Sequence, residues 1–128
     1  MNAKTPLEIA IVAYRRPRDP DNRRSEAQIR DAHALAETGV FSKNNIVDIT
    51  GLPYNFTFGL IEKHDVTGGR LNPETLWPMR ILARQWKQGK EVDRKIIREI
   101  LAADTSQSTL AKLTGIPQQS ISYWMAHA

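Results

Sequence analysis

Two stretches of this chain repeat one another, and the repeat limits the folds that the sequence can adopt. Residues 46–53 read Ile-Val-Asp-Ile-Thr-Gly-Leu-Pro, and residues 110–117, 64 positions later in a chain of 128, read Leu-Ala-Lys-Leu-Thr-Gly-Ile-Pro. Ser42 and Ser106 match as potential helix N-caps. A Thr-Gly pair stops a helix because glycine adopts the left-handed conformation at little cost. The repeat therefore predicts an all-α chain of two tandem three-helix units, each containing two short helices joined by a tight turn.

Helix signals outside the repeat assign most of the remaining chain. Ser25 and Gly39 bracket a helix, Pro73 lies in the first turn of another, and a further helix begins near Val92. Residues 7–14 fit a short N-terminal strand and a buried helical turn equally well, so we leave their conformation open. The predicted divisions are an N-terminal segment and basic arm (1–24), a first unit (25–70), a connecting helix (71–90) and a second unit (91–128).

The connecting helix carries apolar residues around too much of its circumference to lie on a surface. These residues are Leu76, Trp77, Met79, Ile81, Leu82 and Trp86. We therefore expect this helix to be largely buried between the two halves of the chain, with Trp77, Leu82 and Trp86 at the junction.

The excess of basic residues lies in the C-terminal part of the chain. Lys and Arg together number 18 and Asp and Glu number 14, which gives a net charge of +4. Residues 1–79 carry ten basic and ten acidic side chains, so residues 80–128, with eight basic and four acidic, hold the whole excess. This asymmetry indicates a polyanionic partner, most often nucleic acid.

Other features of the composition exclude several classes of protein. The chain has no cysteine, which excludes disulfides, iron–sulfur clusters and thiolate zinc sites. Its three histidines lack metal-ligand spacing, and phosphate-loop and nucleophile-elbow motifs do not occur. The longest apolar run, residues 9–14, is far shorter than the roughly 20 residues of a bilayer span. We expect a soluble, cytoplasmic protein that is not an enzyme, with no metal, cofactor, membrane or small-molecule substrate.

The second repeat has the full pattern of a helix-turn-helix, in which two helices meet at a steep angle through a short, often glycine-containing connection. Ala111 is small where the helices touch, Gly115 follows four residues later, and Ile116, Ile121 and Trp124 fall on the inward side. The outward residues of the last helix are polar and suited to bonding base edges. These candidate base-reading residues are Gln118, Gln119, Ser122 and Tyr123.

This pattern resembles the helix-turn-helix of bacterial repressors and recombinase DNA-binding domains over residues 92–125. With the junction at residues 68–74 between two units, the whole chain resembles the small tandem helix-turn-helix proteins encoded by actinobacterial phages. The resemblance implies double-stranded DNA as the partner, a role in transcription regulation, and a location in the cytoplasm of a bacterial host. Two other interpretations stay open, namely an accessory protein of DNA packaging or recombination and an adaptor that binds host machinery such as RNA polymerase.

Affinity for DNA depends mainly on cations that neutralise phosphates, and residues 106–128 contain a single charged side chain, Lys112. The preceding helix supplies more. The candidate phosphate contacts are Arg94, Lys95, Arg98, Lys112 and Ser106, with Arg80, Arg84, Lys87 and Lys90 in reserve. The proline-containing segment 15–24 is either a solvated linker or a flexible arm for the minor groove. The arm residues are Arg15, Arg16, Arg18, Arg23 and Arg24.

The first repeat departs from the helix-turn-helix pattern. Val47 stands where a small residue is usual, Thr57 stands where an apolar residue is usual, and the helix after the turn is aromatic. Its aromatic residues are Tyr54, Phe56 and Phe58. We interpret this helix as part of the core or as an interface with a second subunit, which keeps a homodimer as an option. The candidate DNA contacts retained in this unit are Lys43, Tyr54 and Asn55.

Overall fold

A computed structural model describes residues 4–127, which form eight α-helices and no β-strand. The all-α prediction is therefore confirmed. The described chain divides into two compact units between Gly68 and Gly69. Unit 1 contains α1 (Pro6–Arg15), α2 (Glu26–Thr38), α3 (Lys43–Thr50) and α4 (Tyr54–Leu60); unit 2 contains α5 (Leu76–Lys87), α6 (Arg94–Ala102), α7 (Gln107–Thr114) and α8 (Gln118–Ala126).

Residues 7–14 are helical, so the strand left open for them is not formed, and unit 1 has four helices where three were expected. The Thr5 hydroxyl caps α1 by accepting a hydrogen bond from the backbone N–H of Glu8 at 3.2 Å, and Pro6 is the first helical residue. The buried residues of α1 are Leu7, Ala10, Ile11 and Ala13. They pack the helix against α2 and α3, a long-range contact that the local sequence pattern does not encode.

The segment after α1 is fastened to unit 1 and is not a free arm. Arg16 forms a two-pronged ion pair with Asp31 of α2, with N···O distances of 2.7 and 3.0 Å, and this hydrogen bonding raises the pKa of the guanidinium above its ordinary value. Arg18 donates to the carbonyl of Ile49 at 2.9 Å, and the guanidinium of Arg24 lies 4.7 Å from the ring centre of Phe56. The two other arginines proposed for an arm, Arg15 at the end of α1 and Arg23, are exposed.

Helix α5 is part of unit 2, where it packs against α6 and α7, instead of joining two units. Leu76, Met79 and Leu82 form its buried face. The burial expected for Trp77 and Trp86 is wrong, because their side chains remain 48% and 39% exposed. Helix α5 has more apolar residues than the neighbouring helices of unit 2 cover.

The two repeats adopt the same turn. Gly51 (φ 75°, ψ 10°) and Gly115 (φ 82°, ψ 0°) end α3 and α7 in the left-handed conformation. Thr114 Oγ1 donates to the carbonyl of Leu110 at 2.7 Å and accepts from the N–H of Ile116 at 3.2 Å, and Thr50 makes the matching pair of bonds in unit 1. A similar local geometry therefore sets the direction in which α4 and α8 leave the turn.

Candidate nucleic-acid interface

Helix α8 exposes the four polar residues that the sequence assigned to base reading. Gln118, Gln119, Ser122 and Tyr123 are all exposed, and the Tyr123 side chain retains 59% of its accessible surface. Between them, Ile121 is completely buried. Because successive residues of a helix are rotated by about 100°, burying Ile121 turns Gln119 and Tyr123 to the centre of the outward face. The structure therefore brings the predicted base-reading residues together on one surface.

Apolar contacts fix the position of α8 within unit 2. Ile116 fills the turn before it and is buried, and Trp124 near its C-terminal end is half-buried. The indole of Trp124 meets Trp86 of α5 edge to face, with ring centres 6.5 Å apart and planes at 67°. The guanidinium of Arg94 also contacts this indole, 5.6 Å from its ring centre. The outward residues are thus carried by a helix that is held at both ends.

Gln107, which the sequence pattern did not single out, links α7 to the outward face of α8. Gln107 is the first residue of α7, and its Oε1 accepts a hydrogen bond from Ser122 Oγ at 2.7 Å. This contact orients the Ser122 hydroxyl and adds a third carboxamide to those of Gln118 and Gln119. The local sequence signal for Gln107 is the repeat itself. Lys43 occupies the position in unit 1 that Gln107 occupies in unit 2, so both units have a long polar side chain at the start of the helix before the turn.

The cations of α6 lie on its exposed side. Ile97 and Ile100 are buried, while Arg94, Lys95 and Arg98 face solvent. Helix α6 packs against α8, and Arg94 is the cation that the structure places directly against that helix, through Trp124. Asp93 is occupied as the N-cap of α6, where its carboxylate accepts from the N–H of Lys95 at 3.0 Å.

The remaining phosphate candidates divide into exposed cations and a structural hydroxyl. Lys112 is exposed in the last turn of α7. Ser106 Oγ is committed to the N-cap of α7, since it accepts from the N–H of Thr109 at 3.2 Å and shares a hydrogen bond with Thr109 Oγ1 at 2.8 Å. Of the reserve cations, Arg80 covers the ring of Trp77 at 5.2 Å, and Arg84, Lys87 and Lys90 are exposed.

Unit 1 presents a different surface on the matching helix. Tyr54 and Asn55 of α4 are exposed, whereas Phe56 and Phe58 are half-buried, so the aromatic residues do not form a core. The rings of Tyr54 and Phe58 are stacked with centres 4.2 Å apart, and the ammonium of Lys43 lies 5.6 Å from the Phe58 ring centre. Thr57, unusual at this place in the pattern, is buried, and its hydroxyl is satisfied there by donating to the carbonyl of Pro53 at 2.8 Å.

The charge asymmetry of the sequence coincides with the division into units. Up to Gly68 the chain has nine basic and nine acidic side chains, and from Gly69 onward it has nine basic and five acidic, so unit 2 holds the net +4. The position of Lys112 in the repeat is occupied in unit 1 by Asp48. Partial burial raises the pKa of the Asp48 carboxyl. A polyanion would therefore be attracted mainly to unit 2.

Several kinds of site are missing from the part of the chain that the structure describes. Within residues 4–127 no three His, Asp or Glu side chains come together in a way that could hold a metal ion. Within the same range no helix has the length and apolar character needed to cross a membrane. Comparisons with protein-family models, curated proteins and solved structures found no match.

Proposed function

We propose that this chain is a sequence-specific double-stranded DNA-binding protein that regulates transcription and reads the major groove with α8. The exposed polar face of α8, anchored by the buried Ile121 and by the left-handed Gly115 turn, is the observation that carries the proposal. An α-helix fits the major groove, and glutamine pairs with the N6 and N7 edge of adenine through two hydrogen bonds. Gln119 at the centre of the face, with Gln118 beside it, would provide this recognition.

Phosphate contacts in this proposal come from the helix that supports α8. Arg94, Lys95 and Arg98 are exposed on α6, and Lys112 is exposed on α7. Contacts to phosphates fix the register of a protein on DNA, whereas contacts to base edges give specificity. Unit 2 thus assigns phosphate contacts to α6 and α7 and base contacts to α8. The Ser106 side chain is engaged as the N-cap of α7, so the proposed phosphate contacts depend mainly on these four cations.

Selection of bound fragments from random double-stranded DNA tests the proposal. The full chain should enrich a motif, and Gln119→Ala should relax base preference at one or two positions while weakening cognate binding by about 1–3 kcal/mol. Gln88→Ala is a matched control, because Gln88 is an exposed glutamine of unit 2 that lies outside α8. It should leave the motif and the affinity unchanged.

Two outcomes would contradict the proposal. If the chain retards no DNA at low salt, the exposed surface of α8 serves protein recognition, and the adaptor interpretation takes its place. If the chain binds DNA without enriching a motif, it acts as a non-specific component of a nucleoprotein assembly, as a packaging or recombination accessory protein would.

A further inference from the structure

Gly59 in α4 has no structural reason to be glycine. Its backbone does not adopt the left-handed conformation, and apart from its own helix no described atom lies within 4 Å of the place a Cβ would occupy. Glycine weakens a helix relative to alanine because it loses more conformational freedom on folding. Neither packing nor a turn within unit 1 offsets this cost. A bare backbone on an exposed helix face allows a partner to approach closely.

The position of Gly59 on α4 identifies the face that a partner would meet. Thr57 is completely buried, and with about 100° between successive residues this turns Asn55 and Gly59 outward together. Asn55 is 64 positions before Gln119, so the repeat places a carboxamide at the centre of the outward face in both units. Asparagine and glutamine share the ability to bond adenine through two hydrogen bonds.

A cation lies on each side of this face. Phe56 and Phe58 project from opposite flanks of α4, since they are two positions apart on the helix and lie on either side of the buried Thr57. The guanidinium of Arg24 lies 4.7 Å from the Phe56 ring centre, and the ammonium of Lys43 lies 5.6 Å from that of Phe58. Each ring therefore has a cation beside it, and the Lys43 ammonium also donates to the carbonyl of Glu62 at 3.1 Å. A polyanion lying across Asn55 and Gly59 would have one positive charge at each border.

We infer that α4 is a second DNA-reading helix, in which Asn55 recognises a base in the major groove and Gly59 lets the helix backbone approach the groove closely. Arg24 and Lys43 contact the flanking phosphates. This inference rests on the proposed function and extends it from one reading helix to two in a single chain. The net charge of unit 1 is zero, so this contact adds specificity to a complex whose electrostatic attraction comes from unit 2.

The test compares Asn55→Ala and Gln119→Ala in the full chain by selection from random double-stranded DNA. The unaltered chain should enrich two blocks of sequence. Asn55→Ala should erase one block, Gln119→Ala should erase the other, and each should weaken binding to the two-block site by about 5- to 100-fold. Asn44→Ala is the matched control, since Asn44 is an exposed asparagine of unit 1 that lies in α3 and outside α4, and it should preserve both blocks.

Gly59→Ala gives a second readout that a fault in folding cannot imitate. The added methyl should raise the melting temperature by about 2 to 5 °C through helix propensity and yet lower affinity for the two-block site several-fold. His33→Ala is the matched control, because His33 is exposed within α2 and the change also favours helix. It should stabilise the chain without changing DNA affinity.

The possible results separate the two proposals. One block that depends on Gln119 alone, with wild-type binding by the Asn55 and Gly59 variants, would overturn the second reading helix and leave the proposed function standing. No block at all would overturn both. A change in sedimentation mass on Gly59→Ala, with DNA selection unchanged, would show that α4 is an interface with a second copy of the chain and would also overturn the inference.

Discussion

Thr114 closes the turn before α8 with a single hydroxyl. It donates to the Leu110 carbonyl and accepts from the N–H of Ile116, which is the residue that fills the turn. Both Thr114 and Ile116 are buried, so water does not reach these groups readily. A buried donor that is left without a partner costs about 1–3 kcal/mol, more than the net gain from making an average hydrogen bond.

Replacing Thr114 with valine keeps the shape of the side chain and removes the hydroxyl. We expect the free energy of unfolding to fall by about 1–3 kcal/mol, measured by urea denaturation. Thr38→Val is the control, since Thr38 makes the same kinds of bond, to Leu35 and Val40, but is only half-buried. Equal losses of stability for the two variants would show that burial of the turn does not set the cost.

The Asp48 carboxyl gives a pH-dependent prediction at the same scale. Burial raises its pKa above the ordinary value of 3.8, so the folded state disfavours the charged form. The destabilisation is fully present above the raised pKa and disappears as the pH falls below 3.8, where the folded and unfolded chains are both protonated. Because Asp48 is largely exposed and water screens its charge, Asp48→Asn should stabilise the chain at pH 7 only slightly, by no more than about 0.5 kcal/mol. A gain in melting temperature that persists at pH 3 would contradict this account.

At the scale of helices, the sequence predicted those elements whose boundaries are set by local chemistry. Ser25 and Gly39 cap α2 as expected, and the repeated serine, Thr-Gly and proline signals delimit α3 and α7. Residues 7–14 stayed ambiguous because the choice between helix and strand depends on packing against α2 and α3. The outward residues of α8 were predictable from periodicity. Gln107 was not, since its hydrogen bond with Ser122 crosses between two helices.

Trp86 shows that the burial of a side chain also depends on packing between helices, which a local sequence pattern does not encode. A count of apolar residues predicted a buried tryptophan, but Trp86 is 39% exposed and packs edge to face with Trp124. Trp86→Ala should therefore cost about 1–2 kcal/mol of unfolding free energy, less than the roughly 3–5 kcal/mol of a fully buried aromatic. Trp77→Ala, at a site 48% exposed, provides the comparison and should cost less. A destabilisation of about 3 kcal/mol or more for Trp86 would show that the ring is covered in solution.

At the scale of the whole molecule, the net charge of one unit is zero and that of the other is +4. The salt dependence of DNA binding should follow this division. Alanine in place of Arg94, Lys95 or Arg98 should weaken binding to all sequences about equally and lower the salt slope by about 1 for each phosphate that is no longer neutralised. Arg30→Ala, which removes an exposed cation of unit 1, should leave the slope unchanged. If none of the three α6 variants changes the slope, that surface is only solvated.

In both units, the residues that form the turn are different from the residues that the following helix exposes. Serine cap, threonine hydroxyl, left-handed glycine and following proline are the same in both copies, yet Tyr54 replaces Gln118, Phe58 replaces Ser122 and Gly59 replaces Tyr123. None of these outward side chains takes part in the hydrogen bonds that close the turn. For protein engineering, the outward positions of α4 and α8 can therefore be changed without removing the hydrogen bonds that close the turn before each helix.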